Sequence, residues 1–396
     1  MRAIKNATIL CPVQGLIEGG TVLFDREIRA IGKDVKIPAN AEAIDAGGKY
    51  VLPGFVDAHC HQGMFDGSIG WAGMDGNETT NALTPEMRGI DSFNPYEPSL
   101  KDVLKGGVTC INTGPGSGNV IGGQAFVVKP IGQGVVDDMI VLAPSALKVA
   151  FGENPKRVHG EEKRTPSTRM GVAALLRKTF TEAQNYLEEW KAYGGKSREA
   201  KEKGEAEPQP PKRDLGMEVV VKVIKREIPL HAHAHRADDI ATAIRIAKEF
   251  NLKLVLIHCT EGHKITQLIA DAQFPAVVGP TMFWVTKPET RERGFETALK
   301  LHNAGVKVAL QTDSLTPMNY FPLLPMNVIK IGMNRDDALK CVTINPAQIL
   351  GIDEHVGSLE PGKDADIVIW SGHPFEFYSR VEQVFVNGEE INISDE

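Results

Sequence analysis

Eight short apolar runs, set apart by longer segments, constrain this chain most. They are YVLPGFVDAHCH (residues 50–61), GGVTCINTG, AFVVKP, SALKVAF, EIPLHAHAH, LKLVLIHC, PAVVGPT and GVKVALQTD. Between two of the later runs, IATAIRIAKEFN and ERGFETALKLHNAG carry apolar residues at helical spacing. Eight strand–helix units in roughly 300 residues predict a parallel (β/α)8 barrel with helices outside. Strands buried on both faces read as continuous apolar runs rather than alternating ones, as these do. The two chain ends differ from this middle. TILCPVQG, GTVLFD and EIRAIGK near the start, and ADIVIWSG and VEQVFVNGEEINI near the finish, alternate polar and apolar residues between glycine-bounded turns. The expected architecture is therefore α/β. A β-sandwich is built from residues 1–50 plus 356–396, and a distorted TIM barrel spans 51–355. Residues 191–214, KAYGGKSREAKEKGEAEPQPPKRD, are charged and proline-rich with almost no large apolar side chain, which predicts a solvated, flexible insertion between two helices.

Composition excludes several function classes. With 396 residues, 42% of them hydrophobic, the chain can bury a large core. Its net charge of −7 is spread without a basic stripe, which argues against nucleic acid as a partner. No apolar stretch reaches the length of a membrane span or a signal peptide, so no membrane association is expected. Five widely spaced cysteines, never paired as CxxC, suit reduced thiols and a cytoplasmic location rather than disulfides or a thiolate zinc site.

Active sites of such barrels form at the C-terminal strand ends, so polar groups there carry the chemistry. The first strand ends in His59 and His61, whose i, i+2 spacing puts both imidazoles on one face. The fourth ends in Lys148, the fifth in His231, His233 and His235, the sixth in His258 and the eighth in Asp313. A single strand-end histidine is more often a hydrogen-bonded core residue. Imidazoles or a carboxylate on four strand ends, with a lysine on a fifth, predict a metal centre. With no thiolates, the donors suit zinc first, then iron, manganese, nickel or cobalt, but not calcium. A metal lowers the pKa of water from 15.7 towards about 7, and Asp313 is placed to accept the proton, which predicts hydrolysis. An ammonium about 5 Å from a divalent ion would be repelled by roughly 6–7 kcal/mol at an effective dielectric of about 20. An inward Lys148 must therefore be neutral or converted by carbon dioxide to a carbamate bridging a second metal; the alternative is an outward lysine paired with Glu153.

PGFVDAHCH resembles the first-strand signature of the amidohydrolase superfamily, and TINPAQILGIDEHVGSLEPGKDADIVIWSGHPF (343–375) resembles that superfamily's return to its small β domain. The resemblance covers essentially the whole chain and implies the same fold. It is strongest to the imidazolonepropionase-related group, which includes prolidase-like dipeptidases. The resemblance implies metal ligands His59, His61, His233, His258 and Asp313, and, through LKVAFGENP, a carboxylated Lys148. His231 is the alternative fifth-strand ligand, because HAHAH permits a two-residue shift. Cytosine deaminases and imidazolonepropionases resemble each other in a Glu three residues after the fifth-strand His. Here Arg236 or Ala234 stands there, which favours amide hydrolysis over deamination or ring opening.

The expected activity is metal-dependent cleavage of a C–N bond in a small molecule such as a dipeptide, N-acyl amino acid or cyclic amide. One or two divalent ions serve it, and Asp313 is the general base. Deamination or ring hydrolysis is the alternative, and an inactive scaffold a third. Arg169 and Arg236 are candidate clamps for a substrate carboxylate, and His235 and His263 candidate substrate contacts. Superfamily relatives commonly assemble, so a homo-oligomer fits, although no interface is legible.

Overall fold

The computed structural model describes residues 1–394, and its strands form two eight-stranded sheets. The first sheet belongs to the chain ends: β1 (Arg2–Cys11), β2 (Gly15–Phe24), β3 (Ile28–Gly32), β4 (Glu42–Asp45), β5 (Tyr50–Pro53), then β14 (Ile367–Trp370), β15 (Val381–Val386) and β16 (Glu389–Ile391). It forks at β1, which pairs β2 along one edge and β4, then β5, along the other. The fork makes the β-sandwich, and Ile4, Ile9, Phe24, Val51, Ile367 and Phe385 fill the space between its layers. This sheet takes in Tyr50–Pro53, three residues beyond the expected boundary. The chain leaves it at Gly54, where any Cβ would collide with the Thr109 side chain.

The second sheet is the barrel, described in chain order by β6 (Phe55–Cys60), β7 (Val108–Thr113), β8 (Ile121–Val128), β9 (Ile140–Ala150), β10 (Leu230–Ala234), β11 (Leu254–His258), β12 (Ala276–Val278) and β13 (Val308–Leu310). All six residues of β6 are buried, as expected for a strand covered on both faces. Helices Ala237–Glu249, Thr266–Ala272 and Glu296–Asn303 connect β10 to β13 on the outside. The purely parallel expectation needs one correction. β8 runs antiparallel to both β7 and β9, and neither connection carries a crossover helix of ordinary length. An apolar run such as AFVVKP reads the same in either direction, and hairpin-like links remove the need for a crossover.

The predicted flexible insertion is also corrected. Residues 191–203 complete a 35-residue helix, Arg169–Lys203, which Thr168 Oγ1 caps at its start and Gly204, at φ +69°, terminates. Its outer half continues a thin inward face through Leu187, Trp190, Tyr193 and Ala200, with Trp190 stacked edge-on against Tyr193. Pairs such as Lys191–Glu188 (2.8 Å) and Lys203–Glu199 (2.5 Å) line its exposed side. Only the stretch from 205 to 214 lacks regular structure.

Sandwich and barrel are joined by a buried lysine. Lys129, just past β8, donates to Asp364 Oδ2 (2.7 Å), Asp366 Oδ1 (3.0 Å) and Asn387 Oδ1 (2.6 Å), so all three ammonium protons are used.

Candidate metal centre and its cleft

The seam between β6 and β13 closes the barrel and aims the site. Asp57 and His59 share a face of β6, and His61 follows just past the strand's end. Asp57 Oδ1 accepts from His59 N (3.1 Å), while Oδ2 accepts from Thr312 Oγ1 (2.5 Å) and Thr312 N (3.3 Å). Ser314 N in turn donates to Thr312 Oγ1 (3.2 Å), Ser314 Oγ accepts from His61 N (2.8 Å), and Asp313 N donates to His59 O (3.2 Å). This ladder sets His59, His61 and Asp313 face to face. Asp313 Oδ1 lies 3.4 Å from His59 Nε2 and 3.3 Å from His61 Nε2.

The other histidines arrive from β10 and β11. His233, His235 and His258 form one group at ligand-like separations, and His59, His61 and Asp313 form the other. The rings of His59 and His258 are 5.5 Å apart, so the groups adjoin. His231 joins neither. It sits lower in the barrel beside Asn112, with burial pushing its pKa down to about 3. The structure therefore brings His233 rather than His231 to the cluster. It also places His235, expected as a substrate contact, among the potential ligands, because its ring stacks on His258 at 4.6 Å.

Lys148 points inward. It stands opposite His231 on the neighbouring strand, its Nζ lies 3.1 Å from His59 Nε2, and the side chain is 2% exposed. The outward reading with Glu153 as partner is thus not realised. Burial pulls the Lys148 amine down to about 8, Asp313 opposing.

The donor set fits a divalent cation. His61 Nδ1 bonds Gly114 O (2.8 Å) and His258 Nδ1 bonds Gly279 O (2.7 Å). A ring nitrogen facing a carbonyl must carry the proton, so in both rings Nε2 is left as a lone pair. Nε2 of His233 and of His258 is buried without a partner, which is costly unless something electrophilic completes it. Burial first, and neighbouring cations second, hold His59 and His233 well below the ordinary histidine range, and burial lowers His258 to about 4. Neutral imidazoles are the form that binds metal. Burial alone would raise Asp313, but the surrounding imidazoles of His258, His59 and His61 outweigh it and pull the carboxyl well below its usual range.

The cluster floors a cleft of about 1080 Å³ whose lining includes His61, His233, His235, Asp313, Lys287 and Arg293. Three expected contacts lie elsewhere. Arg169 Nε binds Asp239 Oδ2 (3.0 Å) and its Nη2 faces Glu289, while Arg236 pairs with Asp238 (2.8 Å); both border a neighbouring depression. His263 is held by Thr297 (3.0 Å) and Glu292 (2.9 Å). Each was met by a local partner before it could reach the cleft. Asp57, Lys287 and Arg293 were missed. An acid two residues before His59 on an otherwise apolar strand was the available signal for Asp57. The other two sit on a loop without periodicity.

A barrel mouth carrying histidines on β6, β10 and β11 with an aspartate after β13 has the donor groups of a hydrolase-type metal centre. The Amidohydrolase family model matches residues 50–391 of the chain. The amidohydrolase tasK of Hapsidospora irregularis is 27% identical over 374 residues, covering 89% of this chain, which spans only 37% of that longer protein. An imidazolonepropionase of Geobacillus sp. (strain WCH70) is 28% identical over 397 residues, 90% of this chain and 84% of the relative. The crystal structure of an amidohydrolase from Thermotoga maritima MSB8 superposes with a TM-score of 0.92 at 42% identity, covering 99% of this chain and 100% of that one. The chain belongs to the amidohydrolase family. It is a hydrolase acting on carbon–nitrogen bonds, in a family that is typically metal-dependent. No helix among the described residues is long and apolar enough to cross a membrane.

Proposed function

We propose that the chain hydrolyses the amide bond of a small molecule, a dipeptide, N-acyl amino acid or cyclic amide, with Asp313 as general base. The observation that carries this reading is the Asp313 carboxylate, flanked by two Nε2 atoms and opening on the cleft beside the unpartnered Nε2 of His233. His59, His61, His233, His258 and Asp313 would hold zinc, with His235 within reach. When bound, a divalent cation supplies a Lewis acid that polarises a carbonyl and acidifies water. Asp313 takes the proton of the attacking water and delivers it to the leaving nitrogen. Its low proton affinity keeps it a carboxylate before attack, and the histidine contacts fix its orientation. Lys148 would react as the free amine with carbon dioxide, losing a proton and becoming an anionic carbamate beside His59. Its depressed pKa increases the fraction of free amine, which supports this role. The position three residues after His233 supports amide cleavage over deamination: it is Arg236, turned away to Asp238, so no acid stands there to serve a ring nitrogen. The reading is completed by a cytoplasmic location and no nucleic-acid partner.

The test is elemental analysis combined with a hydrolysis screen over dipeptides, N-acyl amino acids and lactams. One to two divalent ions per chain are expected. Lys148→Ala should lower that content, and Asp313→Asn should reduce kcat by roughly 10²- to 10⁴-fold. Metal-loaded protein that cleaves none of the three classes would refute the reading.

A further inference from the structure

Among the described residues, the cleft contains one half-buried cation that the fold leaves unanswered. Its three basic lining residues differ in what they meet. Lys287 Nζ is matched by Glu289 Oε1 and Asn154 Oδ1, both at 2.6 Å. Arg157 is exposed and solvated. Arg293 is half-buried and, among the described residues, pairs with no carboxylate. One Nη1 proton goes to Trp284 O (3.0 Å), and the guanidinium lies 5.8 Å from the Phe283 ring centre. Its Nε is buried with no partner at all.

A half-buried guanidinium without a counter-ion is costly, and burial lowers its proton affinity from the ordinary value against the pull of Asp313. Arg293 lines the same cleft as Asp313, His233 and His235, so its charge faces the space in which the reacting end of a substrate would lie. The contact with Trp284 O holds one arm of the side chain. Nε is enclosed, but the remaining Nη1 proton and the second Nη make no hydrogen bond among the described residues and form an end-on pair of donors, a geometry that binds a carboxylate through two parallel hydrogen bonds. The loop that carries Arg293 is itself fixed. Glu289 accepts from Glu153 N (2.9 Å), and Lys287 reaches Asn154, so the loops after β12 and β9 brace each other.

We infer that Arg293 is the anchor for a free carboxylate on the substrate. The amide cleaved beside Asp313 therefore belongs to a molecule such as a dipeptide or N-acyl amino acid, not to a neutral lactam. This rests on the reading of the cleft as the substrate site of an amide hydrolase and narrows it. The donor pair receives the carboxylate, Phe283 walls one side, and the amide is left over the Asp313 carboxylate.

The test uses the full-length zinc-loaded protein and two matched panels, N-acetyl amino acids and the corresponding N-acetyl amino acid amides. Calorimetric binding and steady-state cleavage are measured on both. The best acid is expected to bind roughly 10- to 100-fold more tightly than its own amide, the loss associated with one charged hydrogen-bonded contact. Arg293→Met should bring that ratio close to one with the metal content unchanged. Arg293→Lys, which keeps the charge but not the fork and guards against a misfolded methionine variant, should lose most of it. Equal binding of acids and amides, no binding of any acid, or a preference that survives in Arg293→Met and Arg293→Lys overturns the inference. Acids that bind but are not cleaved would count against amide hydrolysis and leave the anchor standing. Equal cleavage of acids and amides would do the reverse.

Discussion

Replacing Asp57 by asparagine changes one atom at the centre of the barrel seam. Both oxygens of the native carboxylate face donors: His59 N on one side, Thr312 N and Thr312 Oγ1 on the other. The threonine hydroxyl cannot readily turn round, because it already accepts from Ser314 N. Asparagine accepts at one end only, so in either orientation its NH2 group meets a donor. At least one buried N–H loses its partner, which costs about 1–3 kcal/mol. The low end of that range applies. Burial already pushes the Asp57 carboxyl up to about 7, and asparagine escapes that desolvation cost. The larger effect falls on the metal centre. Asp57 holds the backbone of His59 directly and that of Asp313 through Thr312, and loss of such a support typically weakens metal binding 10- to 100-fold. Competition against a chromophoric chelator measures the affinity, and urea unfolding of the metal-free protein measures stability. A stability loss with metal affinity within about twofold of the unmodified protein would show that Asp57 merely closes the barrel, refuting the claim that the seam positions the ligands.

Lys129→Met should destabilise the protein by about 3–5 kcal/mol in chemical unfolding, because it strands the buried Asp366 carboxylate without its cation. Although burial opposes it, Asp366 and Asp364 hold Lys129 above its ordinary pKa of 10.5. Its contribution is therefore complete below 10.5 and drains as pH rises through the higher folded value, so the variant should lack that alkaline decline in stability. Arg236→Ala and His263→Ala should leave kcat/KM within about twofold, since both side chains are engaged outside the cleft; a hundredfold fall in either, with the metal retained, would return that residue to the substrate site.

The fold was legible where burial alone dictates sequence, and illegible where direction or solvent matters. The eight barrel runs announce themselves because each must be apolar on both faces. That requirement is blind to strand polarity, so β8 could be found but not oriented. The long helix fails for the opposite reason. Its first half buries Val172, Leu176 and Phe180 and shows a stripe. From residue 191 onward only Tyr193 and Ala200 continue that inward face, and charge pairs and continuity with the first half sustain the helix, so too few apolar residues remain to mark a period.

The site divides along a similar line. His59, His61, Lys148, His233, His258 and Asp313 were visible because a polar group at the end of an apolar strand is conspicuous, and the structure brings all six together at the barrel mouth. Arg169 and Arg236 looked like clamps only while their partners were ignored. In RADD the arginine is two residues from the aspartate that captures it. Arg293 is the converse, an arginine whose own sequence neighbour Glu292 is taken by Lys264 and His263, leaving the guanidinium unmatched. What no sequence pattern announces is the backbone at the mouth. His258 at φ +75° and Asp313 at φ +55° occupy the left-handed region, which non-glycine residues enter at a cost of order 1–3 kcal/mol. An extended backbone would send the side chains that end β11 and follow β13 along the strand alternation. The left-handed turn breaks that alternation at the position where a ligand must face its neighbours. The hydrogen bonds from His258 Nδ1 to Gly279 O and from Asp313 N to His59 O hold that turn in place. The residue types of the centre are thus written in the strands, while its convergence is written in two strained turns and the seam that supports them.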